Sequence, residues 1–130
     1  RSLVGSEMCI RDRFSVSPER EKAFDMVRQF YVLVDNHFKE KKMVQDYADM
    51  LHRSPKTLSN LFTTCGLPSP LRIIHERIEA EAKRLLLYSQ KSAKEITEIL
   101  GFEDQATFSR FFKKMTGESV SEYRKREKQE

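Results

Sequence analysis

Apolar residues along most of this chain recur three and four positions apart, the spacing of one face of an α-helix. No segment shows the strict alternation of a half-buried strand. Ser17-Pro18 offers a cap followed by proline at the first helical position, with Glu19 and Glu21 in the first turn. Ala23, Phe24, Val27, Phe30, Tyr31, Val34 and Phe38 then trace a wide stripe, and the helix is expected to end near Lys39 to Lys42. Val44, Tyr47, Ala48 and Leu51 predict a short second helix. After a turn at His52-Arg53, Ser54-Pro55 start a third, carrying Leu58, Leu61, Phe62 and Cys65, so that Cys65 reads as a small buried hydrophobe. Gly66 stops it, and Ser69-Pro70 start a long helix to about Tyr88 with Leu71, Ile74, Ile78, Ala82 and Leu85 on one face. Ser92 to Glu95 form a capping box before Ile96, Ile99 and Leu100. Asp104 caps a sixth helix, with Phe108, Phe111, Phe112 and Met115 at i, i+3, i+4 and i+7; it ends at Gly117. A second box, Ser119 to Glu122, starts a last helix that frays into Arg124 to Glu130. The chain reads as all-α, with about seven helices.

Two stretches of this pattern match each other. Tyr47, Ala48 and Leu51, a turn, Leu58 and Phe62, then Gly66 and Ser69-Pro70 form one copy. Ile96, Thr97 and Leu100, a turn, Phe108 and Phe112, then Gly117 and Ser119-Val120 form the other, displaced by 49 to 51 residues. Each is a helix, a tight turn and a second amphipathic helix, the helix-turn-helix plan. The joining helix from Pro70 would be roughly 28 Å long at about 1.5 Å per residue. Successive major-groove faces on one side of B-DNA lie about 34 Å apart. A rod of that length could hold two reading helices in adjacent grooves.

Composition narrows the choice of partner without deciding it. A formal charge of +4 and an isoelectric point near 9.1 permit a polyanion and do not demand one. Cys9 and Cys65 are far apart, and no Cys/His spacing suggests a disulfide framework or a metal. His37, His52 and His75 are scattered. No apolar run approaches a membrane span, and nothing resembles a secretory signal, so the expected location is a reducing cytoplasm. No carboxylate pair, nucleophile–base arrangement or phosphate loop stands out, which disfavours an enzyme, and no cofactor is implied. The opening Arg1–Arg13, RSLVGSEMCIRDR, lacks a helical or strand period and resembles translated sequencing-adapter read-through. It is set aside as a non-native leader, leaving 14–40 as an N-terminal amphipathic helix or junction and 41–130 as the double helix-turn-helix domain.

Between Lys41 and Arg124 the chain closely resembles the C-terminal DNA-binding domain of the AraC/XylS family of bacterial transcription regulators. Carrying the likeness are Ile96, Ile99, Gly101-Phe102, Asp104, Phe108-Ser109-Arg110-Phe111-Phe112-Lys113-Lys114, Gly117 and Tyr123-Arg124 in the second copy. Tyr47-Ala48, Leu51, Ser54, Leu58, Phe62, Gly66 and Ser69-Pro70 do so in the first, and Arg77-Ile78 with Ala82-Lys83-Arg84-Leu85-Leu86 in the joining helix. The resemblance implies two homeodomain-like helix-turn-helix subdomains on a long linker helix, each presenting its second helix to the major groove of double-stranded DNA. It assigns base contacts to Lys56, Ser59 and Asn60 in the first unit and to Gln105, Ala106, Thr107 and Arg110 in the second. Arg110 suits a guanine edge, and Gln105 or Asn60 an adenine edge. Ala106 offers only a methyl group. Arg53, Lys113 and Lys114 are assigned to phosphates, which orient without reading sequence. Thr97 departs from the usual alanine and would need a partner for its hydroxyl; Val120 departs from the usual proline.

The function expected is sequence-specific DNA binding in regulation of transcription. A helical protein-interaction module that has lost specific DNA binding is the alternative. The resemblance further implies a sensor or dimerisation domain missing from this sequence, and a contact with RNA polymerase. A free-standing regulator without a sensor is the variant reading.

Overall fold

The computed structural model describes residues 18–128. The leader Arg1–Arg13 with Cys9, the proposed cap at Ser17 and the last two residues lie outside the described residues. Within them are seven α-helices and no strand: α1 (Pro18–His37), α2 (Val44–Leu51), α3 (Pro55–Thr64), α4 (Pro70–Tyr88), α5 (Ala93–Ile99), α6 (Gln105–Thr116) and α7 (Val120–Lys128).

The helix starts are set by side chains that satisfy otherwise orphaned N–H groups. The N–H of Thr57 donates to Ser54 Oγ at 3.1 Å, and that of Arg72 to Ser69 Oγ at 3.2 Å; a proline follows each serine. Asp104 Oδ1 accepts from the Thr107 N–H at 2.8 Å. Both capping boxes are closed: Ser92 and Glu95 exchange bonds of 2.8 and 3.1 Å, and Ser119 and Glu122 bonds of 2.9 and 3.1 Å. With that box intact, Val120 need not be proline, and its side chain is buried. Thr97 is also buried, and its hydroxyl donates to the Ala93 carbonyl at 2.7 Å, which supplies the required partner.

Helix α4 runs through the middle, burying Ile73, Ile74, Ile78, Ala82, Leu85 and Leu86. On one side of it α1, α2 and α3 bring together Phe30, Tyr47 and Phe62, with Phe30 edge-on to both other rings at 5.5 and 5.0 Å. On the other side α5, α6 and α7 bury Ile96, Leu100, Phe108, Phe112 and Tyr123. Phe112 meets Tyr123 edge-on at 5.4 Å. Full burial of a large apolar side chain contributes about 1.5–3 kcal/mol, so these clusters dominate the stability of both units. Arg124 closes the second by donating to the carbonyls of Leu86 and Ser89 at 3.0 and 3.2 Å, at the end of α4.

The structure corrects the sequence pattern at several positions. Leu71 is exposed, and Ile73 and Leu86 take the buried face of α4 instead. Tyr31 faces solvent on α1. Helix α1 stops at His37, and a turn follows in which the Lys41 N–H donates back to the His37 carbonyl at 2.7 Å. Cys65 is half-buried at the end of α3, not a core residue. Phe111 and Met115 are likewise half-buried, so the stripe of α6 reaches the centre only through Phe108 and Phe112. In each case the residue lies at the edge of its helix's apolar face or in its first or last turn, where the neighbouring element no longer covers it.

Candidate nucleic-acid interface

The turns of the two helix-turn-helix units are built alike. Helix α2 ends where the His52 N–H donates to the Asp49 carbonyl at 3.2 Å and the Arg53 N–H to that of Ala48 at 2.9 Å. Helix α5 ends where the Gly101 N–H donates to Glu98 at 3.1 Å and the Phe102 N–H to Thr97 at 3.1 Å. His52 and Gly101 both take the left-handed conformation that these reversed bonds require, with φ of 59° and 78°. Ser54 and Asp104 then cap α3 and α6 at equivalent positions. Leu58 and Phe62 in one unit, and Phe108 and Phe112 in the other, are fully buried and fix which way each helix faces.

That orientation puts the sequence-predicted side chains outside. Lys56, Ser59 and Asn60 are exposed on α3, as are Gln105, Ala106 and Arg110 at the start of α6; Thr107 is half-buried. Arg53 in the first turn region, and Lys113 and Lys114 in the last turn of α6, are exposed too. The Arg110 guanidinium reaches back to Thr107 Oγ1 at 3.4 Å. The first-unit counterpart of Thr107 is Thr57, exposed and hydrogen-bonded through its hydroxyl to Ser54 at 2.9 Å. Thr57 belongs to the same face and is absent from the sequence-derived set, although the repeat pairs the two threonines directly.

The electrostatics separate this face from the linker helix α4. Neither α3 nor α6 contains an acidic residue. Among the described residues Arg53, Lys56, Arg110, Lys113 and Lys114 form no ion pair, whereas on α4 Arg72 pairs with Glu76, Arg77 with Asp35, Lys83 with Glu79, and Arg84 with Glu81. Asp104, the carboxylate that caps α6, is held below the usual carboxylate range by the Thr107 N–H and hydroxyl and, further, by the charge of Arg110. His75 on α4 lies edge-on to Phe111 at 5.2 Å. Burial, aided by the charge of Lys114, pushes its pKa down. Among the described residues no group of three or more His, Cys, Asp or Glu could hold a metal ion, and no helix is long and apolar enough to cross a membrane.

Residues 47–126, which contain both units, match the profile of a helix-turn-helix domain family. The chain is 36% identical over 92 residues to the arabinose operon regulatory protein of Salmonella typhimurium, covering 71% of this chain and 31% of that protein. Among solved structures it is similar to the C-terminal domain of AraT, a response regulator from Geobacillus stearothermophilus. That likeness has a TM-score of 0.69 and 28% identity, over 86% of this chain and 88% of that one. It shares its fold with the DNA-binding domain of AdpA, a global transcriptional factor solved in complex with a target DNA, at a TM-score of 0.61 and 23% identity, over 78% and 88% of the two chains. The chain spans about a third of the length of the curated relatives it matches. Two helix-turn-helix units closed by the same turn bonds, set on one linker helix and matched over residues 47–126, identify the chain as a member of the AraC/XylS family of transcriptional regulators.

Proposed function

We propose that this chain is the sequence-specific DNA-binding part of a transcriptional regulator, and that it lays α3 and α6 into two segments of the major groove. The observation that carries the reading is electrostatic. Five cations with no ion-pair partner among the described residues flank two acid-free helices whose amide and hydroxyl groups are exposed, while the cations of the intervening helix are neutralised within the protein. Unpaired cations release counterions when they meet phosphate, and amides and guanidinium groups read base edges. Arg110, Gln105 and Thr107 take the bases of one segment, with Ala106 limited to methyl contact. Lys56, Ser59, Asn60 and the added Thr57 take those of the other, and Arg53, Lys113 and Lys114 hold phosphates. The solved AdpA domain, similar in fold, was captured on a target DNA, which supports the same use here.

AraT carries its similar domain at the C-terminal end. By that arrangement we place a sensor or dimerisation domain before this one in the full protein, and we propose with it a cytoplasmic location and a contact with RNA polymerase. Selection on random duplexes at two salt concentrations tests the core of the reading. The expected result is a single enriched motif of two parts about one helical turn apart. Weak binding to every sequence, abolished by salt, would overturn it in favour of charge attraction alone.

A further inference from the structure

The two units are packed on α4, and their helices do not pack on each other beyond isolated contacts. A second bridge nevertheless runs between them, outside α4. The turn after α1 is seated on the turn of the second unit. The Lys39 carbonyl comes so close to Gly101 that a Cβ placed there would lie 1.9 Å from it, and the Lys42 Nζ would be 2.9 Å away. Lys42 donates to the same Lys39 carbonyl at 2.8 Å and sits over the Phe102 ring at 5.2 Å. Phe102 in turn touches Phe108 and Phe111 of α6 at 5.4 and 5.3 Å. At its other end the segment is tied to the first unit. The Tyr47 hydroxyl donates to the Lys41 carbonyl at 2.6 Å, and Phe38 is buried with the Arg77 guanidinium over its face at 4.3 Å.

The internal repeat separates two reasons for a glycine at position 101. His52 holds the equivalent place in the first unit with the same left-handed backbone, and it carries a full side chain. The backbone conformation alone therefore does not demand glycine in this turn; the seated Lys39 carbonyl does. From this we infer that the Lys39–Lys42 segment, docked on Gly101 and Phe102, sets the orientation of α6 relative to α3 and so selects the separation of the two DNA segments the protein accepts. The DNA consequence rests on the proposed function; the clamp itself does not.

Gly101→Asn is the decisive variant, because asparagine tolerates a positive φ but brings the Cβ that the docking excludes. Lys42→Ala removes the ammonium bridging the Lys39 carbonyl and Phe102 without touching the second unit's backbone, and it decides the matter should Gly101→Asn not fold. His52→Gly is the control, since His52 is exposed at the equivalent place in the first turn. Residual dipolar couplings of the DNA-free chain report the relative orientation of the two units. Titration of duplexes whose two half-motifs are moved apart by single base pairs reports spacing selectivity. The expected result is one fixed orientation in the wild type and in His52→Gly, and a shifted, less uniform relative orientation in Gly101→Asn, with Lys42→Ala shifted the same way. With loss of the fixed orientation, affinity at the preferred spacing falls by roughly ten- to a hundredfold, and the preference between spacings flattens while half-motif binding holds. Unchanged couplings and spacing preference in the folded variants would overturn the clamp. A wild type that binds no two-part motif would defeat the DNA reading instead, with the couplings still deciding the clamp.

Discussion

Arg110 donates to Thr107 Oγ1 at 3.4 Å across one turn of α6, so the guanidinium lies over the start of the helix and away from the tail of the stripe. The Thr107 N–H is itself bonded to Asp104 at 2.8 Å, which ties the contact to the helix cap. A guanidinium held there is ready to present two donors to a guanine edge. Replacing Arg110 by alanine should cost about 1–3 kcal/mol and relax the preference at one base position only. Thr107→Val should relax the same position by less. Competition binding against every single-base variant of the selected motif checks both; a loss spread evenly over all positions would count against base reading by Arg110.

Among the described residues Lys113 and Lys114 form no ion pair, and they lie in the last turn of α6, past the positions proposed to read bases. Their alanine variants should weaken binding to all sequences alike. Each should also lower the slope of log affinity against log salt by about 1. Titrations at several ionic strengths measure this, and an unchanged slope would remove these lysines from the phosphate contacts.

The architecture was legible because the starts of α3 to α7 are announced by a serine or aspartate cap, and the ends of α3, α5 and α6 by a glycine. Ser54, Ser69, Ser92, Asp104 and Ser119 all bond as their spacing predicts. Periodicity alone was less reliable at the margins of a face. Leu71, Tyr31 and Cys65 fit the helical spacing but lie where neighbours cover them only in part, and coverage is a tertiary property. The outward face was legible as the complement of Phe108 and Phe112. Thr57 bonds to the Ser54 cap, and only its pairing with Thr107 across the repeat sets it on the outward face. The seat of Lys39 on Gly101 left no trace in the pattern, since a glycine at a helix end already has a sufficient local reason.

Phe112 and Phe111 are adjacent in sequence and unequal in burial, which gives a direct test of where the second core lies. Phe112→Ala removes a fully buried ring that packs on Phe108 and Tyr123 and should destabilise the chain by about 3–5 kcal/mol. Phe111→Ala, at the half-buried edge beside His75 and Phe102, should cost clearly less. Urea unfolding of both variants measures the difference. Equal losses would mean that Phe111 is as much a core residue as its neighbour.

Three helix starts depend on ionised carboxylates, and this fixes the sign of the acid response. Asp104 is held low chiefly by the Thr107 N–H, Glu95 by the Ser92 N–H, and Glu122 by the Ser119 N–H. A carboxylate whose folded pKa is depressed stabilises the fold fully above its unfolded value, about 4, and that contribution is lost as pH falls through the folded pKa. The melting temperature should therefore be flat from neutral pH down to about 5 and decline below that. The first unit supplies the natural control, because Ser54 caps α3 at the equivalent place without titrating. Asp104→Ser should keep the cap and remove its proton dependence, so the fall in melting temperature between pH 7 and pH 3 should be smaller than in the wild type. Calorimetry across that range decides it: an equal fall in the two proteins would show that the Asp104 cap does not contribute to acid sensitivity, and a rise in stability toward acid would contradict the depressed carboxylates altogether.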